Sequence, residues 1–300
     1  MRGAFLVSFM KYLKFDFLLP SCYCSNKFQV PLLLPSGKMK YLVPLIISSC
    51  HAFVPVNVAA RSRIVGKEYA SVLKADTQAI AEKVLTNPQW PAEWPYTKKD
   101  LTRMDDSNDS IFYESPRLVT HIADATISAL TDYYSTVFED GDDVLDICSS
   151  WISHYPKDWK GGNVVGLGMN QYELENNKAL SSFNLKDLNE DPTLPYDEGS
   201  FDKVTCVVSV DYLTKPKEVF EEIGRVLKPG GKGIISISNR CFPTKAWNLW
   251  LQTNDLEHVF ITASFFHYSG AFDPPACKDI SPNTPMSDPI YVIHAAKKMD

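Results

Sequence analysis

From Asp143 onwards the chain alternates between short apolar runs and longer stretches with helical spacing. Val144, Leu145 and Ile147 form the first run, residues 163–168 the second, Phe183 and Leu185 the third, residues 201–210 the fourth and residues 233–237 the fifth. Runs with no polar alternation predict strands covered on both faces, as in a parallel sheet. Asn170 is placed to cap a helix carrying Tyr172, Leu174 and Leu180. Residues 216–227 read as another helix, stopped by Pro229-Gly230-Gly231. Strand–helix alternation of this kind predicts an α/β fold, a doubly wound Rossmann-like sheet, mostly parallel, with right-handed crossovers. The tail predicts a helix over 243–260 and two strands, near 262–268 and 290–295. These place a final antiparallel pair on the sheet.

Upstream, Ala70, Val72, Leu73, Ile80 and Val84 supply an apolar stripe that predicts a helix over 67–85, ended by Pro88. Residues 87–110 read as a loop. Its Trp90 and Trp94 either staple it to the core, the favoured reading, or cover a substrate. A second helix is predicted from Ser115-Pro116, a good N-cap followed by a residue suited to the first helical position. Its core side is Leu118, Ile122, Ala125, Leu130, Tyr133 and Val137. Arg117 and His121, four apart, share another face. With Tyr113 they either point over a crevice or form a solvated polar face. The expected organisation is a leader or arm at 1–60, a helical cap region at 61–138 and a core at 139–300.

Charge sharpens this division. The chain carries 30 Lys and Arg against 36 Asp and Glu, a net −6. Yet residues 1–60 hold six basic side chains and a single acid, Asp16, so the body is more acidic than the total implies. An acidic body excludes nucleic acid as the expected partner, because that affinity comes from clustered Lys and Arg. The seven cysteines show no paired zinc spacing, and a chain of 300 residues needs no disulfide framework, so no metal is expected.

Met39-Lys40 precedes the apolar run Tyr41-Leu42-Val43-Pro44-Leu45-Ile46-Ile47, then Ser48-Ser49-Cys50-His51-Ala52-Phe53. A short basic stretch, an apolar stretch and small residues are the parts of a signal peptide, and the run is too short to span a bilayer. Together with the acid-free segment around Arg61 and Arg63, this resembles the two-part plastid leader of diatoms and related algae. His51 departs from that pattern. The resemblance implies a plastid protein with a transit peptide, started at Met1 or Met39, with no stable membrane span after processing.

Function reads from the end of the first strand. Asp146 is followed by small residues, Cys148, Ser149 and Ser150. In doubly wound folds, ligands bind beyond the carboxyl ends of the strands, where strand order reverses. The stretch Leu194-Pro195-Tyr196-Asp197-Glu198-Gly199-Ser200-Phe201-Asp202 follows, and then Glu222-Ile223-Gly224-Arg225-Val226-Leu227-Lys228-Pro229-Gly230-Gly231. These pieces, in this order after Val144-Leu145-Asp146, resemble the class I S-adenosylmethionine methyltransferase core that acts on small molecules, in an uncharacterised branch. The resemblance implies S-adenosylmethionine as cofactor and transfer of its methyl group to a small organic acceptor.

By the same resemblance Asp146 orders the turn or accepts from the cofactor's ammonium group, and Cys148, Ser149 and Ser150 line its methionine end. Asp187 and Leu188 meet the adenine, and Ser209 borders the sulfonium. Two departures stand out. The turn after the first strand lacks the family's glycines. The second strand ends in Gly168, where the family has an acid for the ribose hydroxyls, and Asn170 is the expected replacement, with Glu173 one turn later. Proton acceptors, where the acceptor atom carries a proton, are sought among His154, Asp211, Tyr212, Tyr113 and His121. Arg117 and Arg240 either hold an anionic substrate or form surface ion pairs. A non-catalytic binding or assembly module of the same fold is the alternative. A nicotinamide oxidoreductase is excluded by the missing G-x-G-x-x-G. The acceptor atom and the oligomeric state are not readable from the residues.

Overall fold

The protein is described from a computed structural model, over residues 80–284 and 287–299. These belong to the second of two units, Tyr69–Asp300. The expected leader over 1–60 and most of the helix over 67–85 lie outside the described residues; a last helical turn is seen at 80–83.

Seven strands form one sheet: β1 (Val144–Ile147), β2 (Val164–Gly168), β3 (Ser182–Leu185), β4 (Phe201–Val207), β5 (Leu227–Ser238), β6 (Ala276–Asp279) and β7 (Ile290–Ala296). Their spatial order is β3-β2-β1-β4-β5-β7-β6, with β1 to β5 mutually parallel and β7 antiparallel to both neighbours. The order reverses at β1, which has β2 on one side and β4 on the other. The doubly wound, mostly parallel sheet read from the alternation is therefore present. Its helices are α1 (Asp109–Phe112), α2 (Asp124–Val137), α3 (Gln171–Asn176), α4 (Pro216–Val226) and α5 (Asp255–Ser269).

Both faces of the central strands are covered, as their unalternating runs require, whereas β3 at the edge is largely exposed. Ile234 joins α2's Leu130, Tyr133 and Tyr134, with Val144 and Val292, in one cluster. Its neighbour Gly233 faces the other way, where an added Cβ would lie 2.7 Å from the Phe266 ring of α5. Between β1 and β2 there is no helix. Tyr155 and Trp159 pack on Phe138 instead, at 5.2 and 4.8 Å between ring centres.

Four expectations are corrected. The helix read from Ser115-Pro116 begins only at Asp124; residues 113–123 form an irregular strap whose Leu118 is exposed. Tertiary bonds override the local start signal there: the Asp288 carboxylate accepts the Ala123 N–H, and Asp288 also pairs with Arg240. The strand after α4 starts at Leu227 and runs through Pro229-Gly230-Gly231, with a register shift against β4 where those residues sit. The helix read over 243–260 is a single 3-10 turn at Trp250–Gln252, and α5 starts later, under a capping box made by Asn254 and Glu257. Residues 262–268 are helix, not strand, and β6 takes the antiparallel place instead. Every residue from His258 to Phe266 is buried, so α5 has no polar face there to reveal its period.

The tryptophans of the 87–110 loop are staples. Trp90 lies 4.6 Å from Phe260 and stacks on His267, and Trp94 meets Phe265 and Tyr268. The acids of that loop serve a second anchor. Lys245, fully buried, sits 3.0 Å from Asp109 and 3.1 Å from Asp105 and donates to the Ser107 carbonyl. Arg103 forks onto both oxygens of Asp109 at 2.9 and 2.7 Å. This network ties α1, and hence the start of the strap, to the segment after β5. Removing one partner from a buried ion cluster leaves an uncompensated charge and costs about 3 kcal/mol or more. Lys245→Met is expected to lower unfolding free energy by about that much in urea titrations, with faster amide exchange concentrated in residues 103–113.

Candidate functional site

Beyond the carboxyl ends of β1 to β5 lies a cavity of about 310 Å³. Each strand contributes its terminus to the wall: Cys148 to Trp151 after β1, Gly168 to Asn170 at β2, Asp187 to Asn189 after β3, Val207 to Ser209 at β4, and Arg240 to Phe242 after β5. The strap roofs it with Tyr113, Arg117, Val119, Thr120, His121 and Ile122.

The floor is the turn after β1. Asp146 is buried, and its two oxygens accept the hydroxyls of Ser149 at 2.8 Å, Ser153 at 2.6 Å and Thr205 at 3.1 Å. Burial raises its pKa, against the pull of those three hydroxyls. Asp146 thus orders the turn. Cys148 takes φ 55°, the left-handed region that glycine enters without strain. The backbone of the turn follows a glycine-like path even though its glycine is absent. The complementary small residue stands opposite. A Cβ on Gly168 would lie 2.2 Å from the Ser149 carbonyl oxygen, so the turn rests directly on the end of β2. Val208, at φ 43°, is a second strained wall residue; a β-branched side chain is rare in that region, and such strain gathers at functional sites.

The expected cofactor residues are brought together: Asp146, Cys148, Ser149, Ser150, Asn170, Asp187, Leu188 and Ser209 all line the cavity. Their hydroxyl and amide groups are partly committed. Ser149 donates to Asp146, and Ser150 donates to Glu173 at 2.6 Å. Asn170 caps α3 through its oxygen, and its nitrogen donates to the carbonyls of Tyr113 and Glu114 in the strap. Ser209 donates to the Val207 carbonyl. The Asp187 carboxylate accepts the Asn189 N–H at 2.8 Å, and burial raises its pKa. Sequence reasoning gave no role to Trp151 and none beyond proximity to Glu173. Trp151 donates to the Val119 carbonyl and Glu173 accepts the Arg117 N–H, so both hold the strap. Nothing local marks them, since their partners lie 32 and 56 residues away.

Of the proton-acceptor candidates, Tyr113, His121, His154 and Tyr212 are on the wall, and Asp211 is buried behind it. Burial pushes His154 down to about 4 and also lowers His121, so both imidazoles are neutral at pH 7. Tyr212 accepts the Phe242 N–H at 2.8 Å. Arg117 stacks over Phe112 at 4.3 Å and donates to the Phe112 carbonyl. Arg240 is held by Asp288 at 2.7 Å. Among the described residues no cluster of metal ligands is present and no helix is long and apolar enough to cross a membrane.

Residues 146–235 match the family model described as "Methyltransferase domain". Over that stretch the chain is similar to methyltransferase domains. S-adenosylmethionine is the cofactor named for solved structures to which the chain is similar. The chain is 38% identical over 77 residues to a sterol 24-C-methyltransferase of Pneumocystis carinii, covering 24% of this chain and 20% of that protein. It is 29% identical over 109 residues to a ubiquinone biosynthesis O-methyltransferase of Pseudomonas aeruginosa (33% and 46%). It is 35% identical over 114 residues to a demethylmenaquinone methyltransferase of Lactobacillus johnsonii (34% and 47%). The chain thus spans less than half the length of each of these relatives. A solved S-adenosylmethionine-dependent methyltransferase from Mesorhizobium loti overlays with a TM-score of 0.38 at 14% identity, over 56% of this chain and 98% of that one. The strand order, rather than this overlay, is what establishes the fold.

The residues present fit this cofactor. Cys148 and Leu188 both line the open cavity; Trp151, on the same wall, donates to the strap, and the serine hydroxyls donate to carboxylates. The wall holds four carboxyl groups, Asp109, Asp146, Glu173 and Asp187, and the last three suit a ligand that carries a sulfonium and an ammonium charge.

Relief of left-handed strain is worth about 1–2 kcal/mol and glycine's extra unfolded-state freedom offsets about half of it. Cys148→Gly is therefore expected to fold at least as stably as the parent and keep cofactor affinity, and Cys148→Val to lose about 2 kcal/mol in thermal unfolding. Asp211 supplies a pH test. Its Oδ2 has no hydrogen-bond partner among the described residues, and burial pushes its pKa up to about 8. A raised acid stabilises the fold at low pH, and that contribution is lost as pH rises through 8. The stability of Asp211→Asn relative to the parent should rise between pH 5 and pH 8, by on the order of 3 kcal/mol. A flat difference across that range, measured by urea unfolding, would contradict an unpaired buried carboxyl.

Proposed function

We propose that the protein is an S-adenosylmethionine-dependent methyltransferase of a small, largely apolar organic acceptor. The single observation that supports this best is the continuity of the cavity. One end lies between Cys148 and Leu188, and the other lies under Tyr113, His121 and Phe242. A donor and an acceptor placed in these two parts meet near Ser209 and Tyr212. When bound, the cofactor supplies an electrophilic methyl group. Alignment of the two reactants is the main contribution required of the protein, by analogy with effective molarities in oriented reactions.

The acceptor end has an aromatic surface of Tyr113, Tyr212 and Phe242, with Arg117 and Arg240 on the same wall. Phe112 and Phe242 pack edge to face at 5.3 Å, and Phe242 meets His121 at 5.5 Å and Tyr212 at 5.9 Å. Such a wall favours a ring or isoprenoid chain over a sugar or peptide. The names of the relatives, sterol, ubiquinone and demethylmenaquinone enzymes, agree with acceptors of that kind. Where the acceptor is a hydroxyl, its proton passes to a neutral imidazole, and His121 and His154 are the two on the wall. A second reading is supported by the committed hydroxyls of Ser149 and Ser150: a cofactor-binding module without turnover. The leader sequence supports a plastid setting for either.

The deciding experiment offers methyl-labelled cofactor and a panel of quinols, phenols and sterols to the full chain. Label transfer to an acceptor supports the enzyme, binding without transfer supports the module, and no calorimetric binding of S-adenosylmethionine overturns both. With an active hydroxyl acceptor in hand, His121→Ala or His154→Ala is expected to lower kcat about 100-fold while cofactor Kd changes less than about twofold. Unchanged kcat in both variants would remove the imidazoles from the mechanism.

A further inference from the structure

Three lysine and arginine side chains line the cavity, and they differ in how far their charge is already spent. Lys186 pairs with Asp191 at 2.6 Å. Arg240 gives its Nε to Asp288 at 2.7 Å. Arg117 has no carboxylate partner among the described residues, and its guanidinium makes one hydrogen bond there, from Nη2 to the Phe112 carbonyl at 2.8 Å. Of the acids on the wall, Asp109 holds Arg103, Lys245 and Asn189, and Glu173 accepts the backbone N–H of Arg117 and the Ser150 hydroxyl. A guanidinium has five N–H donors in one plane, so four remain for a ligand. That plane is held in place: its carbon lies 4.3 Å over the Phe112 ring and 5.6 Å from the centre of the Phe242 ring. The fork is oriented before a ligand arrives.

We propose that Arg117 receives a carboxylate carried by the methyl acceptor, so that the acceptor is an aromatic acid rather than a neutral ring. This rests on reading the cavity as a methyltransferase site. A carboxylate matches the guanidinium fork with two parallel hydrogen bonds, and bonds between two charged groups are the strong ones. Phe242, with Tyr113 and Tyr212 on the same wall, suits the ring of such a molecule. Arg240, two residues before Phe242 and held by Asp288 through its Nε, adds a second positive charge to this part of the wall. The cofactor's own carboxylate is the competing ligand. Arg117 and His121 meet the same Phe242 ring, at 5.6 and 5.5 Å. Burial lowers the His121 pKa, Glu173 opposes that and the Arg117 charge adds to it. A carboxylate on Arg117 cancels the last contribution and leaves the imidazole a better base for an acceptor hydroxyl.

The test is calorimetry on the full chain saturated with S-adenosylhomocysteine and titrated with benzoate, cinnamate and 2-naphthoate, each against its uncharged amide. At least one acid should bind about tenfold or more tightly than its amide, the size of a hydrogen bond between charged groups. Arg117→Gln should bring that acid within about twofold of its amide, while affinity for S-adenosylhomocysteine changes less than about twofold. Arg117→Lys keeps the charge without the fork and should keep a preference of about threefold. Parent protein that binds every acid no better than its amide, or Arg117→Gln that retains the preference, overturns the proposal. Loss of S-adenosylhomocysteine affinity in Arg117→Gln assigns the guanidinium to the cofactor's carboxylate and overturns it as well. Parent protein that binds no S-adenosylhomocysteine overturns the methyltransferase reading beneath it, an outcome distinct from the others.

Discussion

The contact between the Ser149 carbonyl and the end of β2 is the constraint on which the site depends. Two strands of a parallel sheet stand side by side, and the turn leaving one must cross close to the end of the other. In this chain the clearance comes from Gly168, where even a methyl group would meet the Ser149 oxygen at 2.2 Å. With the room supplied from below, the turn itself can carry side chains. Cys148 accepts the left-handed backbone, and Ser149, Ser150 and Ser153 turn their hydroxyls onto carboxylates instead of into the cavity. The small residues have been redistributed between the two sides of one contact, and the open volume survives.

That redistribution also decides how the roof is held. The strap at 113–123 has no regular hydrogen-bond pattern of its own, so its backbone groups need outside partners. They find them in side chains of the floor: Asn170 for Tyr113 and Glu114, Glu173 for Arg117, Trp151 for Val119. The far end is pinned by Asp288 to the Ala123 N–H, and the near end by the buried Lys245, Arg103 and Asp109 cluster. Floor and roof are therefore one bonded system, and anything that shifts the β1 turn reaches Arg117 and His121.

Electrostatics divide the cavity along the same line. One part of the wall gathers Asp146, Glu173 and Asp187, while the other carries Tyr113, Tyr212, Phe242 and the imidazoles of His121 and His154, with Arg117 and Arg240. On the proposed function, the first part suits a cationic donor and the second a largely apolar acceptor. Arg117, one of three cations on the wall, is stacked over Phe112 and bound to its carbonyl.

The residues alone determined the parallel strands, because runs such as Val144 to Ile147 and Val204 to Val207 are mostly apolar without strict alternation, and only a sheet covered on both faces accommodates that. They also determined the position of the cavity, since the turn after β1 and the loop after β3 carry local signals, and Asn170 as a cap. The tertiary structure decided three matters the chain order could not express. Ser115-Pro116 carries a helix start signal that bonds from distant side chains overrule. The wholly buried α5 lost its period because neighbours cover every side of it. The roles of Asn170, Ser150 and Glu173 depend on which partner lies within 3 Å, and those partners are 23 to 57 residues away. Local pattern encodes what a segment is; long-range contacts decide which of its polar groups remain free for a ligand.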